Sequence, residues 1–369
     1  MRLASYNVEN LFNRPKVMNL ATWAEGKVVL DQYAALNGLL GEKSYTAARR
    51  TKMVELMISL GLEKSDKGPF VILRRNRGEL LKRPQAGGIE IIATSRDDWV
   101  GSLDLLNAPI NHEAIRNTAR IFGLINADVL AVVEAENRPA LLEFNDQVVA
   151  DVGGDPFMRV MLIDGNDERG IDVGLLTRDT YVIGNMRSHV DDRGADNKRI
   201  FSRDCPEYEV STPAGNRLIV LVNHFKSKGF GPPAQSNERR RAQAARVKQI
   251  YEALASAGNQ HIAVVGDLND TPTSAPLAPL IGQTNLRDVF VHPAFDDGGF
   301  PGTFGGCTAS NKIDYILLSP KLFDKVQGGV IRKGIWPGVK PAKWPVLDTL
   351  TKPVEAASDH AAVWVDLDL

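Results

Sequence analysis

Cysteine is scarce in this sequence, and its scarcity excludes two kinds of small stabilised domain. Cys205 and Cys307 are the only cysteines in 369 residues. Two cysteines cannot build a disulfide framework, and neither belongs to a CxxC pair of the kind that binds structural zinc. We therefore expect a reduced protein held together by a hydrophobic core.

Long apolar runs and a leader sequence are also lacking. No stretch approaches eighteen uninterrupted apolar residues, the length of a short transmembrane helix. The N-terminus, MRLASYNVENLF, has the pattern of a strand and not that of a basic segment followed by an apolar one. We expect no membrane segment and no signal peptide, and therefore a cytoplasmic location.

The chain also has little net charge. Its 44 Lys and Arg face 45 Asp and Glu, which gives a formal charge of −1. This balance excludes a uniformly basic surface of the kind that coats nucleic acid, whereas a local basic patch remains compatible with it.

The chain does contain many short runs of β-branched and apolar residues bounded by Gly, Pro, Asn or Asp, and such runs predict buried strands. They are Leu3–Val8, Val129–Val133, Val160–Ile163, Val173–Leu176, Leu218–Val222, Ile262–Val265, Ile313–Leu318 and Ala361–Val365. Amphipathic helices are predicted over about 113–126 and about 237–256. This arrangement predicts an α/β sandwich of two or four layers.

Residues 14–108 differ from the rest of the chain. A helical stretch at about 45–60 precedes a candidate β-meander, FVILRRNRGELLKR followed by GIEIIAT. Between Lys43 and Arg83 there are eleven Lys or Arg and four Asp or Glu, a local balance of +7. We interpret 14–108 as a basic insertion within a single catalytic domain that spans 1–369.

Polar residues at the ends of the predicted strands are the candidate functional residues. In HIAVVGDLNDTP, Gly266 is expected to let the chain turn sharply, and Asp267 and Asn269 then project from the same side. A carboxylate and an amide at a strand end are able to orient a water molecule and to stabilise an anion. A simple Asp-x-Asn turn that closes the strand is the structural alternative.

Two further motifs combine aspartate with histidine or with a buried strand. Asp359 and His360 precede the last predicted strand, and such a pair can serve as metal ligand, general base or hydrogen-bond donor. In KIDYILLSP, Asp314 interrupts an apolar strand. A buried carboxylate is costly unless it has a cationic partner, either an imidazole or a nearby Lys or Arg.

The remaining motifs suggest a phosphate and a metal ion. NHFKSKG places His224, Lys226 and Lys228 beside a glycine turn, a combination that suits phosphate. Glu134 follows one apolar run, and Asn7 and Glu9 follow another. Carboxylates without thiolates favour a hard cation, Mg²⁺ or Mn²⁺, over Zn²⁺.

In their order along the chain, SYNVENLF, VVEAEN, NHFKSKG, GDLND, KIDYILL and SDH resemble the motifs of the endonuclease/exonuclease/phosphatase superfamily. NHFKSKG, RRRAQA and GDLNDTP are most similar to those of bacterial DNase I-like nucleases. The resemblance covers 1–12 and about 112–369 and leaves 14–108 outside it. It implies a four-layer α/β sandwich of two packed mixed β-sheets flanked by helices.

The resemblance also implies roles for individual residues. Glu134 matches the metal-binding glutamate, with Asn7, Glu9 and Asp359 around the same position. Val133 stands where glutamine is usual before that glutamate, and Glu9 stands where Asp or Asn is more common. Asp267 matches the aspartate that orients or deprotonates the attacking water.

Further matches concern the phosphate. Asn269 matches the asparagine beside the reacting phosphate, His360 the catalytic histidine, and Asp314 the aspartate that holds this histidine. His224 matches a second histidine that faces the phosphate. Among the cations, the predicted substrate-binding residues are Lys226, Lys228, Arg240 and Arg203.

The sequence thus predicts a Mg²⁺- or Mn²⁺-dependent phosphoric ester hydrolase, an endonuclease acting on DNA or RNA. The basic insertion and the Arg-rich helix are its expected contacts to phosphates. The alternative is a phosphatase or phosphodiesterase for an inositol phosphate or a phospholipid headgroup, with Phe225, Phe230 and Trp336 lining an apolar approach. A non-enzymatic binding module is disfavoured because the full set of polar residues is kept. No protein partner is predicted.

Overall fold

The computed structural model describes residues 1–11, 13–20, 23–109, 111–167, 170–229, 232–324, 326–338 and 342–369. The chain forms two compact units. The first comprises Met1–Phe12, Ile110–Ser227 and Ala234–Leu369, and the second comprises Asn13–Pro109 and Lys228–Pro233. The assignment of 14–108 as an insertion in one catalytic domain stays a prediction.

Helices are interspersed among runs of consecutive strands along the chain. The helices are α1 (Trp23–Leu40), α2 (Ala47–Ser59), α3 (His112–Ile125), α4 (Arg138–Glu143, continued by a π-helical segment Phe144–Val149), α5 (Pro233–Ser256) and α6 (Pro320–Phe323). The strands are β1 (Arg2–Leu11), β2 (Asn13–Pro15), β3 (Val71–Gly78), β4 (Leu81–Lys82), β5 (Glu90–Ile91), β6 (Trp99–Leu105), β7 (Asn107–Pro109), β8 (Val129–Ala135), β9 (Arg159–Ile163), β10 (Asp172–Thr177), β11 (Val182–Arg187), β12 (Glu207–Ser211), β13 (Arg217–His224), β14 (Ile262–Asp267), β15 (Arg287–Asp288), β16 (Phe295–Asp296), β17 (Asp314–Leu318), β18 (Gln327–Ile331) and β19 (Ala362–Asp366).

Two mixed sheets form the centre of the first unit. The first sheet has the order β16-β18-β19-β1-β8-β10-β9, and the second has the order β11-β12-β13-β14-β17-β15. Every second side chain of their strands enters one shared core, for example Val129 and Val133 from β8 with Val220 and Val265 from β13 and β14. The two sheets therefore pack face to face.

Helices cover both outer faces of this pair of sheets. Phe122 and Ile125 of α3 pack against the outward side chains of the first sheet, including Tyr6. Val247 and Ile250 of α5 pack in the same way on the second sheet. The predicted four-layer α/β sandwich is confirmed.

All the runs predicted as strands are strands in the structure, and both amphipathic helices are present. Sequence reasoning missed β11, β12 and β18, whose exposed or glycine-containing sequences lack a continuous apolar run. It also missed α1. No helix in the described ranges is long and apolar enough to cross a membrane.

The second unit has a core of its own. Leu36 of α1, Met53 of α2, Leu73 of β3 and Trp99 of β6 pack together, and the Trp99 indole donates a hydrogen bond of 3.0 Å to the Tyr45 hydroxyl. The strand pairing differs from the expected meander. β3 pairs with the distant β6, and β4 forms a separate ladder of two residue pairs with β5.

A buried histidine connects three segments of the first unit. His189 is 3% exposed, and its ring nitrogens lie 2.8 Å from Asp192 Oδ2 and 2.7 Å from Glu207 Oε1. Its backbone N–H donates to Asp204, and Asp192 also accepts from Arg246 of α5. Burial lowers the pKa of His189, but the two carboxylates outweigh burial and raise the pKa above its usual 6.5.

This geometry predicts a pH-dependent effect of His189→Asn. The folded-state pKa lies above the unfolded one, so the imidazolium contributes its full stabilisation below about pH 6.5 and loses it as the pH rises through the raised pKa. Urea unfolding is expected to show a loss of about 3 kcal/mol at pH 6 and a smaller loss at pH 9. The control is His112→Asn at an exposed position. A loss that is equal at both pH values would contradict the charged state.

Candidate active site

Polar side chains occupy inward positions at one end of the second sheet. Ala263 and Val265 of β14 point into the shared core, and because side chains alternate along a strand, Asp267 points the same way. His224 ends β13 and Asp314 begins β17 on the same alternation. His224 opposes Asp267 in parallel register, and Asp267 opposes Asp314 in antiparallel register. The three side chains therefore lie in one row.

The first sheet contributes Asn7 to the same place. Asn7 is 1% exposed, and its Nδ2 lies 3.3 Å from Asp267 Oδ2 and 3.4 Å from His360 Nε2. Asn7 and Asp267 are 260 positions apart in the chain. Their contact exists because the two sheets pack face to face, and it places residues from both sheets around one point.

His360 is held by Asp314, the imidazole being the partner that this buried carboxylate needs. Its Nδ1 lies 2.9 and 3.1 Å from the two Asp314 oxygens, and its Nε2 lies 3.9 Å from Asp267 Oδ2. The ring of Phe304 packs against the imidazole with 4.8 Å between ring centroids. His360 therefore presents Nε2 to the space that Asn7 and Asp267 also face.

Asp267 and Asn269 form both of the arrangements considered from the sequence. Asp267 Oδ1 accepts from the Asn269 backbone N–H at 2.8 Å, which closes an Asx turn. Asn269 Nδ2 lies 3.1 Å from Asp267 Oδ2 and donates to the Phe225 carbonyl at 3.2 Å. The turn thus fixes the amide beside the carboxylate that it caps. Gly266 makes no sharp turn: it lies inside β14, where a Cβ would be 2.0 Å from the Asn223 carbonyl oxygen.

The three predicted metal ligands lie at the ends of β1 and β8 and before β19. Glu134 Oε1 is 3.4 Å from His224 Nε2. Glu9 Oε2 accepts from the Asp359 backbone N–H at 3.0 Å, and Asp359 Oδ1 is 3.7 Å from His360 Nε2. Glu134 thus contacts His224 and Asp359 contacts His360, while Glu9 is held against the Asp359 backbone.

The backbone is strained at three of these residues. Glu9, Glu134 and Asn269 have φ of 53°, 67° and 54°, in the left-handed region that side chains with a Cβ rarely adopt. The β1–β8 pairing is irregular between Asn7 and Leu11, and the β8–β10 pairing is irregular beside Glu134. After the inward Val133, regular alternation would turn Glu134 to the outer face. The left-handed conformation is what breaks this alternation.

Burial and like charge dominate the electrostatics. Burial, together with the neighbouring Asp314, raises the pKa of Asp267 to about 8. Burial lowers the pKa of His360, but Asp314 outweighs it and raises that pKa well above the usual value. His360 is therefore an imidazolium at neutral pH, suited to donate a hydrogen bond to an anion. Lys312 adds a buried cation, 3.0 Å from Asp288 and donating to the Asp314 carbonyl at 2.8 Å.

The predicted substrate-binding residues occupy different environments. Arg203 and Arg240 are 2% and 1% exposed, with their guanidinium groups on Asp167 and Asp270. Lys226 is partly buried and its Nζ donates to the Ser227 carbonyl at 3.3 Å, whereas Lys228 belongs to the second unit. Their contacts to substrate stay predictions.

The prediction that Phe225 lines an apolar approach to the site, made for the alternative substrate, is wrong. Phe225 is 0% exposed in the core between α5 and the second sheet, and it cannot line a surface. Phe230 lies outside the described residues, and Trp336 is half-buried.

Sequence reasoning missed Ser358, whose hydroxyl joins the segment before β19 to β1. Its buried hydroxyl donates to the Asn7 carbonyl at 2.8 Å and accepts from the His360 N–H at 3.0 Å. It thereby connects β1 to the residue that Asp314 holds. The only sequence signal was a small polar residue before Asp359.

Part of the chain matches a known protein family. Residues 108–288, which include Glu134, His224, Asp267 and Asn269, match the model of the Endonuclease/Exonuclease/phosphatase family. The resemblance in the motifs is thereby confirmed, and members of the family hydrolyse phosphoric esters. A search of curated proteins by sequence gives no match.

Solved structures of family proteins are similar over most of their length. A mannosyl-6-phosphatase from Bacteroides thetaiotaomicron is 17% identical with a TM-score of 0.49, over 70% of this chain and 91% of that one. Truncated TDP2 from Caenorhabditis elegans is 14% identical with a TM-score of 0.47, over 69% and 90%. Sphingomyelinase C from Streptomyces griseocarneus is 17% identical with a TM-score of 0.48, over 69% and 92%. At this identity the similarities assign no substrate to this chain.

The strained backbone predicts that Glu134→Gly does not destabilise the protein. Glycine removes about 1–2 kcal/mol of left-handed strain and costs about 0.4–1 kcal/mol of unfolded-state entropy. The free energy of unfolding is expected to stay constant or to rise by about 1 kcal/mol, while phosphoesterase activity is lost. The control is Glu136→Gly, expected to lower the free energy. A larger loss for Glu134→Gly than for Glu136→Gly would disprove the strain.

The raised pKa of Asp267 predicts a second stability effect. Its pKa is 3.8 in ordinary surroundings and about 8 in the fold, so ionisation is disfavoured in the folded state and stability falls as the pH rises from about 4 through 8. In EDTA, Asp267→Asn is expected to be more stable than the wild type at pH 9 by about 1 kcal/mol or more. At pH 4 the two proteins should be nearly equal. Equal stability at pH 9 would show that the carboxylate is not destabilised.

Proposed function

We propose that this protein is a divalent-metal-dependent phosphodiesterase that hydrolyses nucleic acid by attack of water on phosphorus. The observation that carries the proposal is the convergence of Asp267, Asn7 and the Asp314–His360 pair within hydrogen-bonding range of one another. The family of residues 108–288 supports the reaction class.

The donor set fits a hard divalent cation such as Mg²⁺ or Mn²⁺. Glu134, Glu9 and Asp359 offer carboxylate oxygens and no thiolate, which is the ligand chemistry that these ions prefer. The neighbouring carboxyl groups of Asp314 and Glu134 both raise the pKa of Asp267, so a bound cation would relieve the repulsion among these groups. When bound there, the cation would neutralise charge that develops on the phosphoryl oxygens.

Asp267 is the group best placed to orient and deprotonate the attacking water. It is 2% exposed, and Asn7 and Asn269 fix its Oδ2 by contacts of 3.3 and 3.1 Å. A carboxylate whose pKa lies near neutrality is a more effective base than a fully solvated one. General-base catalysis of this kind contributes on the order of 10²–10⁴-fold to the rate.

The donors around Asp267 are suited to stabilise the transition state. His360, kept protonated by Asp314, directs Nε2 towards the reacting position, and the Asn7 and Asn269 amides add neutral donors. His224, 3% exposed, lies between Glu134 and Asp267. Fixed donors in a site largely closed to water stabilise growing negative charge without reorganisation.

Nucleic acid is the proposed substrate because lysine and arginine side chains are abundant outside the row formed by His224, Asp267 and Asp314. Lys43–Arg83 carries a balance of +7, and Arg239 and Arg241 are exposed on α5. Such cations release counterions from a phosphate backbone on binding. A lipid headgroup substrate would require an apolar approach to the site, and Phe225 cannot contribute to one because it is buried.

The test is cleavage of supercoiled plasmid, single-stranded DNA and RNA with Mg²⁺ or Mn²⁺. We expect nicking that EDTA abolishes and that Asp267→Ala reduces by at least about 10²-fold. The control is Asp324→Ala, an exposed aspartate of the same unit. If nucleic acid stayed intact while a small organic phosphate released phosphate, the substrate would be a small phosphoric ester and not nucleic acid. Inactivity on both substrates would refute the proposal that the protein is a phosphoric ester hydrolase.

A further inference from the structure

Two side chains on the buried face of α5 hold the peptide groups of Lys226. Gln243 is 0% exposed, and its Oε1 accepts from the Lys226 N–H at 2.8 Å. Arg240, 1% exposed and one turn earlier, donates from Nη1 to the Lys226 carbonyl at 2.8 Å. Residues three apart lie on the same face of a helix. The helix therefore fixes both polar groups of a residue that follows His224 by two positions.

The same arginine also holds the loop after β14. Arg240 Nε donates to Asp270 Oδ2 at 3.1 Å, and Asp270 directly follows Asn269. The Asp270 carbonyl in turn accepts from the Tyr315 hydroxyl at 2.7 Å. One guanidinium therefore connects the loop that carries His224 with the loop that carries Asp267 and Asn269.

Two direct hydrogen bonds also join these two segments. Asn269 Nδ2 donates to the Phe225 carbonyl, and the Phe225 N–H donates to the Asp267 carbonyl at 2.9 Å. The orientation of the Asn269 amide thus depends on the position of the 225–226 backbone, which α5 determines.

We infer that Arg240 and Gln243 are positioning residues that set His224 and Asn269 relative to Asp267. The inference rests on the proposed function for its catalytic consequence. The clamp on Lys226, by which we mean the hydrogen bonds of Gln243 and Arg240 to the Lys226 backbone, is independent of that function. The inference replaces the predicted contact of Arg240 with substrate phosphate. A guanidinium that is 1% exposed and shared among Asp270, the Lys226 carbonyl and Asn237 acts through these protein groups.

A positioning role and a substrate contact have different kinetic signatures. Loss of a phosphate contact raises KM and lowers the salt slope of binding by about one. Loss of positioning lowers kcat, because small displacements of catalytic groups cost up to about 10²-fold, and leaves KM and the salt slope nearly unchanged. Kinetic measurements therefore distinguish a positioning role of Arg240 from a direct contact with substrate phosphate.

The main variant is Gln243→Met, which keeps the volume and removes the acceptor, with Gln249→Met on the exposed face of the same helix as its control. Hydrogen exchange is the first readout, because it requires no activity. Exchange of the Lys226 amide is expected to be at least about tenfold faster in Gln243→Met and unchanged in Gln249→Met. Gln243→Glu, which keeps an acceptor oxygen at the same place, should restore the protection.

The second readout is steady-state kinetics on whichever phosphoester the wild type cleaves. Gln243→Met is expected to lower kcat by about 10–100-fold with KM within about twofold, and Gln243→Glu should recover most of the loss. Arg240→Lys, which keeps the charge but not the planar guanidinium that is shared among Asp270, the Lys226 carbonyl and Asn237, should likewise lower kcat and keep the salt slope.

Unchanged exchange at Lys226 in Gln243→Met would overturn the clamp. Faster exchange with unchanged kcat, or a raised KM with a reduced salt slope in Arg240→Lys, would overturn the positioning role. If the wild type cleaved no phosphoester, the proposed function would fail, and the exchange result would still decide whether the clamp exists.

Discussion

Asp267 and Asp314 lie opposite each other on neighbouring strands, in a space between two sheets where water does not solvate them. Two buried carboxylates at this separation repel each other, and the rest of the site can be understood as the compensation. Asp314 is paired with an imidazolium and supported by Lys312 through its carbonyl. Asp267 accepts from the Asn7 and Asn269 amides, and its contacts with His224 and His360, at 3.8 and 3.9 Å, are longer than the one that Asp314 makes with His360.

This asymmetry assigns different chemistry to the two carboxyl groups. Asp314 raises the pKa of His360, so it acts through the histidine. Asp267 retains a proton to a higher pH and changes its ionisation near neutrality, where a cation or a nucleophilic water alters its state at little cost. Pairs of titratable groups with diverging pKa values are a general mark of acid–base sites.

The acidic residues of the first sheet add further carboxylates to those of Asp267 and Asp314, and they also add backbone strain. Glu9 and Glu134 leave regular strand geometry at the point where β1 and β8 end, and both take left-handed conformations. A fold selected for stability alone would have glycine or asparagine at such positions. That glutamate stands there instead indicates a functional reason for the strain. The helix α5 supports the opposite side of the site by holding two loops through one arginine.

Sequence alone determined the long buried strands, the α3 and α5 helices and most of the candidate residues, because runs of apolar residues along buried strands and polar residues at their ends are local patterns. The Asp267–Asn269 turn and the need of Asp314 for a cationic partner also follow from local chemistry. Tertiary structure decided the rest. The contact of Asn7 with Asp267 depends on sheet packing, the pairing of β3 with β6 on a distant segment, and the burial of Phe225 and Arg240 on how α5 covers the second sheet. A charged or aromatic residue has the same letter whether it faces solvent or the core, and only the packing of one layer on another determines which.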